Sequence, residues 1–114
     1  MRVYKGYDSG DIEELGSLVE DNIPEMIDGA VNSLGSNDYC IGIYRSEKDF
    51  MEVRPVGNEQ FLIWSDRIIK HGNLFKRLML KAHIEKVVNG RENAISAINL
   101  YVNGSREEFE QCYT

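Results

Sequence analysis

The stretch that decides the fold runs from residue 39 to residue 67 and reads YCIGIYRSEKDFMEVRPVGNEQFLIWSDR. It contains three short segments rich in β-branched and aromatic residues, Tyr39–Tyr44, Phe50–Arg54 and Phe61–Trp64. The polar connections between these segments, residues 46–49 and 56–59, have the length of β-hairpin loops. The sequence therefore predicts a three-stranded antiparallel meander in the middle of the chain, with Trp64 in its core.

Upstream of this meander, the sequence predicts two helices. Ser9 is a suitable N-cap for the first helix, in which Ile12 and Leu15 begin an apolar stripe at helical spacing. Pro24 cannot continue a helix interior but suits the first turn of a second helix, which extends to about Leu34. The N-terminal third is thus predicted to be helical.

Downstream of the meander, further helices are predicted. Asn73 can cap a helix that runs to about Val88 and packs on the sheet, while residues 91–103 fit either a helix or a strand, with helix favoured. Ser105, followed three residues later by Glu108, has the pattern of a capping box. This box predicts a last short helix that turns Phe109 and Cys112 inward.

Length and composition indicate one α+β domain spanning residues 1–114. A chain of 114 residues with 42% hydrophobic content suits a single core. Its apolar runs are too short to span a bilayer, and its N terminus lacks the pattern of a secretory signal. Cys40 and Cys112 lie far apart without CxxC spacing and are predicted to be reduced core thiols. These features predict a soluble cytoplasmic protein without membrane contacts.

The sequence offers little support for catalysis. It contains no GxGxxG, GxxxxGK[ST], HExxH or GxSxG motif. Neither His71 nor His83 combines with a cysteine at a spacing typical of zinc sites, so no metal and no cofactor are expected. Cys40 lies in an apolar segment, which does not suit a nucleophile. No catalytic residue is predicted, and a small hydrolase or nuclease ranks third among the interpretations.

Charge is distributed unevenly along the chain. Residues 1–59 carry a net charge of −8, residues 60–93 of +4 and residues 94–114 of −2, for a total of −6. The basic stretch has the density of a phosphate-binding segment, but a pI of about 4.9 means that the remaining surface repels a polyanion. A partner with a basic surface is therefore expected in preference to nucleic acid.

The acidic half of the chain provides the predicted binding site. Its carboxylates cluster in sequence around the strand connections, and the predicted partner-binding residues are Asp38, Glu47, Asp49, Glu52 and Glu59. By analogy with other small acidic binding proteins, the sequence suggests an inhibitor, such as a bacterial immunity protein that neutralises a cognate toxin. The alternative is a regulatory or adaptor domain that forms homo- or hetero-oligomers.

Overall fold

The computed structural model describes residues 1–69 and 82–114. These residues form six strands, β1 (Arg2–Tyr7), β2 (Ile12–Ser17), β3 (Tyr39–Tyr44), β4 (Phe50–Gly57), β5 (Gln60–Asp66) and β6 (His83–Asn89). They also form a 3-10 turn (Glu20–Asn22) and the helices α1 (Ile23–Asn32), α2 (Arg91–Asn103) and α3 (Arg106–Cys112). None of these described helices combines the length and apolar character needed to cross a membrane.

The strands form one antiparallel sheet in the order β2-β1-β3-β4-β5-β6. The predicted meander is present as β3, β4 and β5, and the α+β class is confirmed. The turn between β4 and β5 has Asn58 and Glu59 at φ values of 54° and 60°, as a tight two-residue hairpin turn requires. The prediction of only three strands was wrong, because β1 and β2 extend the sheet on one side and β6 on the other.

One face of the sheet carries the core. Cross-strand pairing aligns Ile41, Val53 and Ile63 on this face, and all three are buried. Apolar residues of the three helices pack in the same cluster, among them Ile27 of α1, Ile98 of α2 and Phe109 of α3. Successive side chains of a strand point to opposite faces. The second face, which we call the open face, is therefore covered by none of the described helices.

The helix predicted from Ser9 onward is wrong, because residues 12–17 form β2. Ser9 lies in the turn between β1 and β2, where its Oγ donates a hydrogen bond to Asp11. The apolar side chains of this segment do not enter the core, since Ile12 is 64% and Leu15 44% exposed. Backbone pairing with β1 at the edge of the sheet outweighs a short helical pattern that has nothing to pack against.

The helix predicted for residues 73–88 is contradicted where it can be compared. Its first part falls on residues 70–81, which lie outside the described residues, and the rest belongs to β6. There the whole of β6 pairs with β5, from Asp66 opposite His83 to Gln60 opposite Asn89. Ile84 is buried while Val87 is 51% exposed, so β6 contributes only part of its apolar surface to the core.

Helices with a clear local start or stop were predicted well. Pro24 occupies the first turn of α1, and the favoured helix over residues 91–103 is α2. The capping box of α3 is complete, because Ser105 accepts from the Glu108 amide at 3.1 Å while the Glu108 carboxylate accepts from the Ser105 amide at 3.0 Å. Phe109 is buried as expected. The inward position predicted for Cys112 is wrong, since this residue is exposed.

Candidate binding surface

An aromatic row crosses the open face of the sheet. Neighbouring rings are in contact or directly opposite: Tyr4 and Tyr44 have centroids 5.8 Å apart, and Tyr44 faces Phe50 across β3 and β4. Trp64 follows, with its centroid 5.5 Å from that of Phe50 and 5.5 Å from that of His83. The row therefore spans five strands, and each of its members is half-buried. Trp64, expected in the core, belongs to this row.

A glycine, Gly42, makes room for one end of the aromatic row. Gly42 lies opposite Tyr4, and a β-carbon at Gly42 would overlap the tyrosine ring. The ring therefore lies flat on the sheet, and its hydroxyl donates a hydrogen bond to the Glu52 carboxylate. Burial, with a smaller contribution from Glu52, raises the pKa of Tyr4 far above its usual value. The phenol consequently stays protonated and holds the Glu52 side chain in place.

Three carboxylates flank the aromatic row. Glu14 of the edge strand β2 accepts a hydrogen bond from the Tyr44 hydroxyl, and Glu85 lies 2.7 Å from the Nε2 atom of His83. Glu52 of β4 and Glu85 of β6 stand directly opposite Trp64 on its two sides. Each carboxylate is thus held beside an aromatic ring, which gives this face both apolar area and negative charge.

A small hollow lies next to Trp64 on the open face. Its volume is about 200 Å³, and it is lined by Glu52, Arg54, Leu62 and Trp64, which form two adjacent cross-strand pairs of β4 and β5. Trp64 leans towards Phe50 and His83 at the opposite end of the strands, and this leaves the hollow open. The Arg54 guanidinium is held at the far side of the hollow by Asp8, at 2.5 Å.

The five residues predicted to bind a partner do not form one patch. Glu47 and Asp49 precede β4, Glu52 lies within it on the open face, and Glu59 lies in the turn that follows it. The eight residues of β4 are joined by seven steps of roughly 3.3 Å, so the two ends of the strand lie about 23 Å apart. Asp38 lies in the loop before β3, where it accepts a hydrogen bond from the Gly35 amide. Of these five residues, only Glu52 stands beside the aromatic row.

Asp49 belongs to a mostly buried polar network rather than to a free surface. Its Oδ1 atom lies 3.2 Å from Nη1 of Arg106 and accepts a hydrogen bond from the Tyr101 hydroxyl at 2.9 Å. Arg106 also contacts the buried Glu110 at 2.9 Å and the Ser65 hydroxyl. Burial, assisted by the bond to Asp49, raises the pKa of Tyr101. This network ties the loop between β3 and β4 to α2 and α3.

A second and larger cavity lies on the face of the sheet that carries the helices, at the end of β4 and β5 where the two strands join. This groove of about 620 Å³ runs between α1, the turn after β4 and the start of α2, over a floor that includes Pro55 and Phe61. Arg91 bridges its rim through two bonds to Asp28, at 2.7 and 3.1 Å, and lowers the pKa of that carboxyl. Asp28 and Arg91 satisfy each other at this groove, which Glu59 also lines, whereas Glu52 forms no ion pair with any residue that the structure describes.

The two cysteines differ in accessibility, and this difference predicts their reactivity. Cys40 is 1% exposed on the open face, and burial, followed by the charge of Glu52, raises the pKa of its thiol to about 11. Cys112 is exposed on α3. We expect an aromatic disulfide reagent at neutral pH to modify one thiol per native chain, and the second only after denaturant is added.

The variant Cys112→Ser provides the control for this thiol experiment. It should show no fast reaction in the native state and one reactive thiol when unfolded. Fast modification of native Cys112→Ser would contradict the buried position of Cys40.

The sequence contains a signal for the aromatic row, but this signal can be interpreted only once the pairing register of the strands is known. Within each strand, Tyr4, Phe50 and Trp64 alternate with core residues, as the second face of a strand requires. Nothing local indicates that these alternating positions fall side by side in space. The segment Arg2–Tyr7 was not recognised as a strand at all, so Tyr4 was missed.

No cluster of three or more histidine, cysteine, aspartate or glutamate side chains arranged to hold a metal ion occurs within residues 1–69 and 82–114. His71 lies outside these ranges. Comparison of the chain with protein-family models, with curated proteins and with solved structures finds no match in any of the three.

Proposed function

We propose that this protein is a binding protein that docks a basic protein partner on the open face of its sheet. The observation that carries the proposal is the aromatic row, flanked by Glu14, Glu52 and Glu85 on a face that the described helices leave uncovered. Half-exposed aromatic rings provide the apolar contact area that protein interfaces use. The adjacent carboxylates favour a cationic surface and disfavour a phosphate backbone.

The proposed biological role is inhibition, as for a bacterial immunity protein that neutralises a cognate toxin. The net charge of −6 on a domain of this size speeds encounter with a basic enzyme. The open face presents the side chains of its aromatic row side by side, because backbone pairing aligns the five neighbouring strands that carry them. A binding role requires no chemistry from this chain, and we propose that it is not an enzyme.

The test uses Trp64, the single tryptophan of the chain, as an internal probe. A protein captured from the native host is titrated into the purified protein while tryptophan-selective fluorescence is recorded. Where this captured partner fluoresces as well, a tryptophan-free fragment of the partner or a labelled form of the partner is used instead. Binding on the open face should shift the emission of Trp64. The double reversal Glu52→Lys with Glu85→Lys should weaken binding at least tenfold, or about 1.4 kcal/mol.

A charge-matched control variant distinguishes binding on the open face from binding at the loop carboxylates predicted from the sequence. Glu47→Lys with Glu59→Lys changes the net charge equally, but at two exposed loops at opposite ends of β4. We expect this control to weaken binding less than threefold at physiological salt. If the control reduces affinity as much as the open-face pair does, or if Trp64 does not respond, docking on the open face is refuted. Capture of nucleic acid alone would refute the basic protein partner.

Self-association is a second candidate function, favoured by the exposed edge of the sheet. All residues of β2 except the half-buried Gly16 are exposed, and Ile12 and Leu15 present apolar side chains there. An uncovered edge strand offers unpaired backbone groups to another chain. Light scattering that gives a concentration-independent mass of 13.1 kDa would exclude a homo-oligomeric adaptor.

A further inference from the structure

We infer that the hollow beside Trp64 is the receptor for an arginine side chain of the partner. This inference rests on the proposed function and names the group that the open face recognises. Three features converge there: an indole ring, a fixed carboxylate with one oxygen unoccupied by the described residues, and a cavity of about 200 Å³.

The arrangement of Glu52, Trp64 and Glu85 suits a planar cation. These three residues are direct cross-strand neighbours on β4, β5 and β6, so the indole stands between two carboxylates with adjacent strands about 4.8 Å apart. A guanidinium placed over the indole gains a cation–π contact, and the N–H groups in its own plane can donate hydrogen bonds to the Glu52 carboxylate. A lysine ammonium is a compact, strongly hydrated charge and gains less from a flat aromatic wall.

Glu52 is prepared for this contact before any partner arrives. Its Oε2 atom accepts the hydrogen bond from Tyr4, which leaves Oε1 for an incoming donor. Since the Tyr4 ring is fixed over Gly42, the carboxylate loses little rotamer entropy on binding.

The cation already present in the hollow does not cancel the negative charge of Glu52. Arg54 lines the far side, where its Nη1 atom lies 2.5 Å from Oδ1 of Asp8. Glu52, Arg54 and Asp8 together carry a net charge of −1. Leu62 also lines the hollow and supplies an apolar wall for the methylene groups of an arginine stem.

The experiment uses the intact protein and three small probes: the blocked tripeptides acetyl-Gly-Arg-Gly-amide, the lysine equivalent and the citrulline equivalent. Citrulline has nearly the shape of arginine but no charge. Binding is followed by the NMR shift of the Trp64 indole N–H, which is a single resonance. We expect saturable shifts with the arginine probe in the millimolar range, at least threefold weaker binding of the lysine probe and no saturable shift with citrulline.

The variant Glu52→Gln keeps an acceptor for Tyr4 but removes the charge, and it should weaken binding of the arginine probe at least fivefold. Glu47→Gln removes one exposed carboxylate elsewhere and should leave it unchanged. Equal binding of the arginine and citrulline probes, or a Glu52→Gln variant that binds like wild type, overturns the arginine site. A partner that shifts Trp64 emission while the arginine probe does not bind refutes this inference and leaves the proposed function standing. If the arginine probe binds but no partner docks on the open face, the arginine site stands and the proposed function is refuted.

Discussion

Replacing Arg106 with methionine is expected to lower the free energy of unfolding by about 3–5 kcal/mol, the range found when one member of a buried ion pair is removed. The Arg106 side chain is 10% exposed and that of Glu110 is fully buried. Arginine in the first turn of a helix is unfavourable for the helix dipole, so its contacts with Glu110 and Asp49 must account for its position. Methionine preserves the stem but removes the cation that both carboxylates face.

Denaturant unfolding of two further variants tests this explanation. Arg45→Met removes a cation that also lies near Asp49, at 3.6 Å, but is 35% exposed, and should cost about 1 kcal/mol or less. Adding Glu110→Gln to Arg106→Met should restore part of the lost free energy of unfolding. Glutamine carries no charge, and its oxygen can still accept hydrogen bonds from the amides of Ile68 and Ile69. Equal destabilisation by Arg45→Met and Arg106→Met would show that burial of the network does not matter.

Truncation of Phe109 to alanine is the second large effect, at about 3–5 kcal/mol for a buried phenylalanine. Its ring is fully buried, with its centroid 5.2 Å from that of Tyr101 and 5.3 Å from that of Tyr113. It joins α3 to α2, so the cavity left behind would lie between two helices and cannot be filled by side chains from solvent. Urea melts monitored by far-ultraviolet circular dichroism measure the change.

Two controls accompany Phe109→Ala. Gln111→Ala lies on the exposed side of the same helix and should change stability by less than about 0.5 kcal/mol. Trp64→Ala removes a larger ring, but from the half-buried open face, and should therefore cost less than Phe109→Ala. If Trp64→Ala proves the more destabilising of the two, the core has been assigned to the wrong face of the sheet.

The candidate site was only partly accessible from the sequence. Glu52 was identified from its place on the polar face of a strand, and the structure places it beside Tyr4 and Trp64. Asp49 was interpreted as a surface carboxylate because its sequence neighbours are polar, yet Arg106, 57 residues away, draws it into a network. Charge and the alternation of apolar and polar residues identify exposed positions on average. They contain no information about which cation, distant in sequence, lies beside a given carboxylate in the folded chain.

By itself, the sequence determined the elements whose causes are local. The β-branched segments with hairpin-length connections specified β3, β4 and β5, Pro24 placed the start of α1, and Ser105 with Glu108 specified α3, because each signal acts within a few residues. Tertiary structure decided that residues 12–17 and 83–89 are strands, since an edge strand gains its hydrogen bonds from a neighbour rather than from its own pattern. It also decided the aromatic row, because Tyr4 meets Tyr44 only when strands 40 residues apart pair in register.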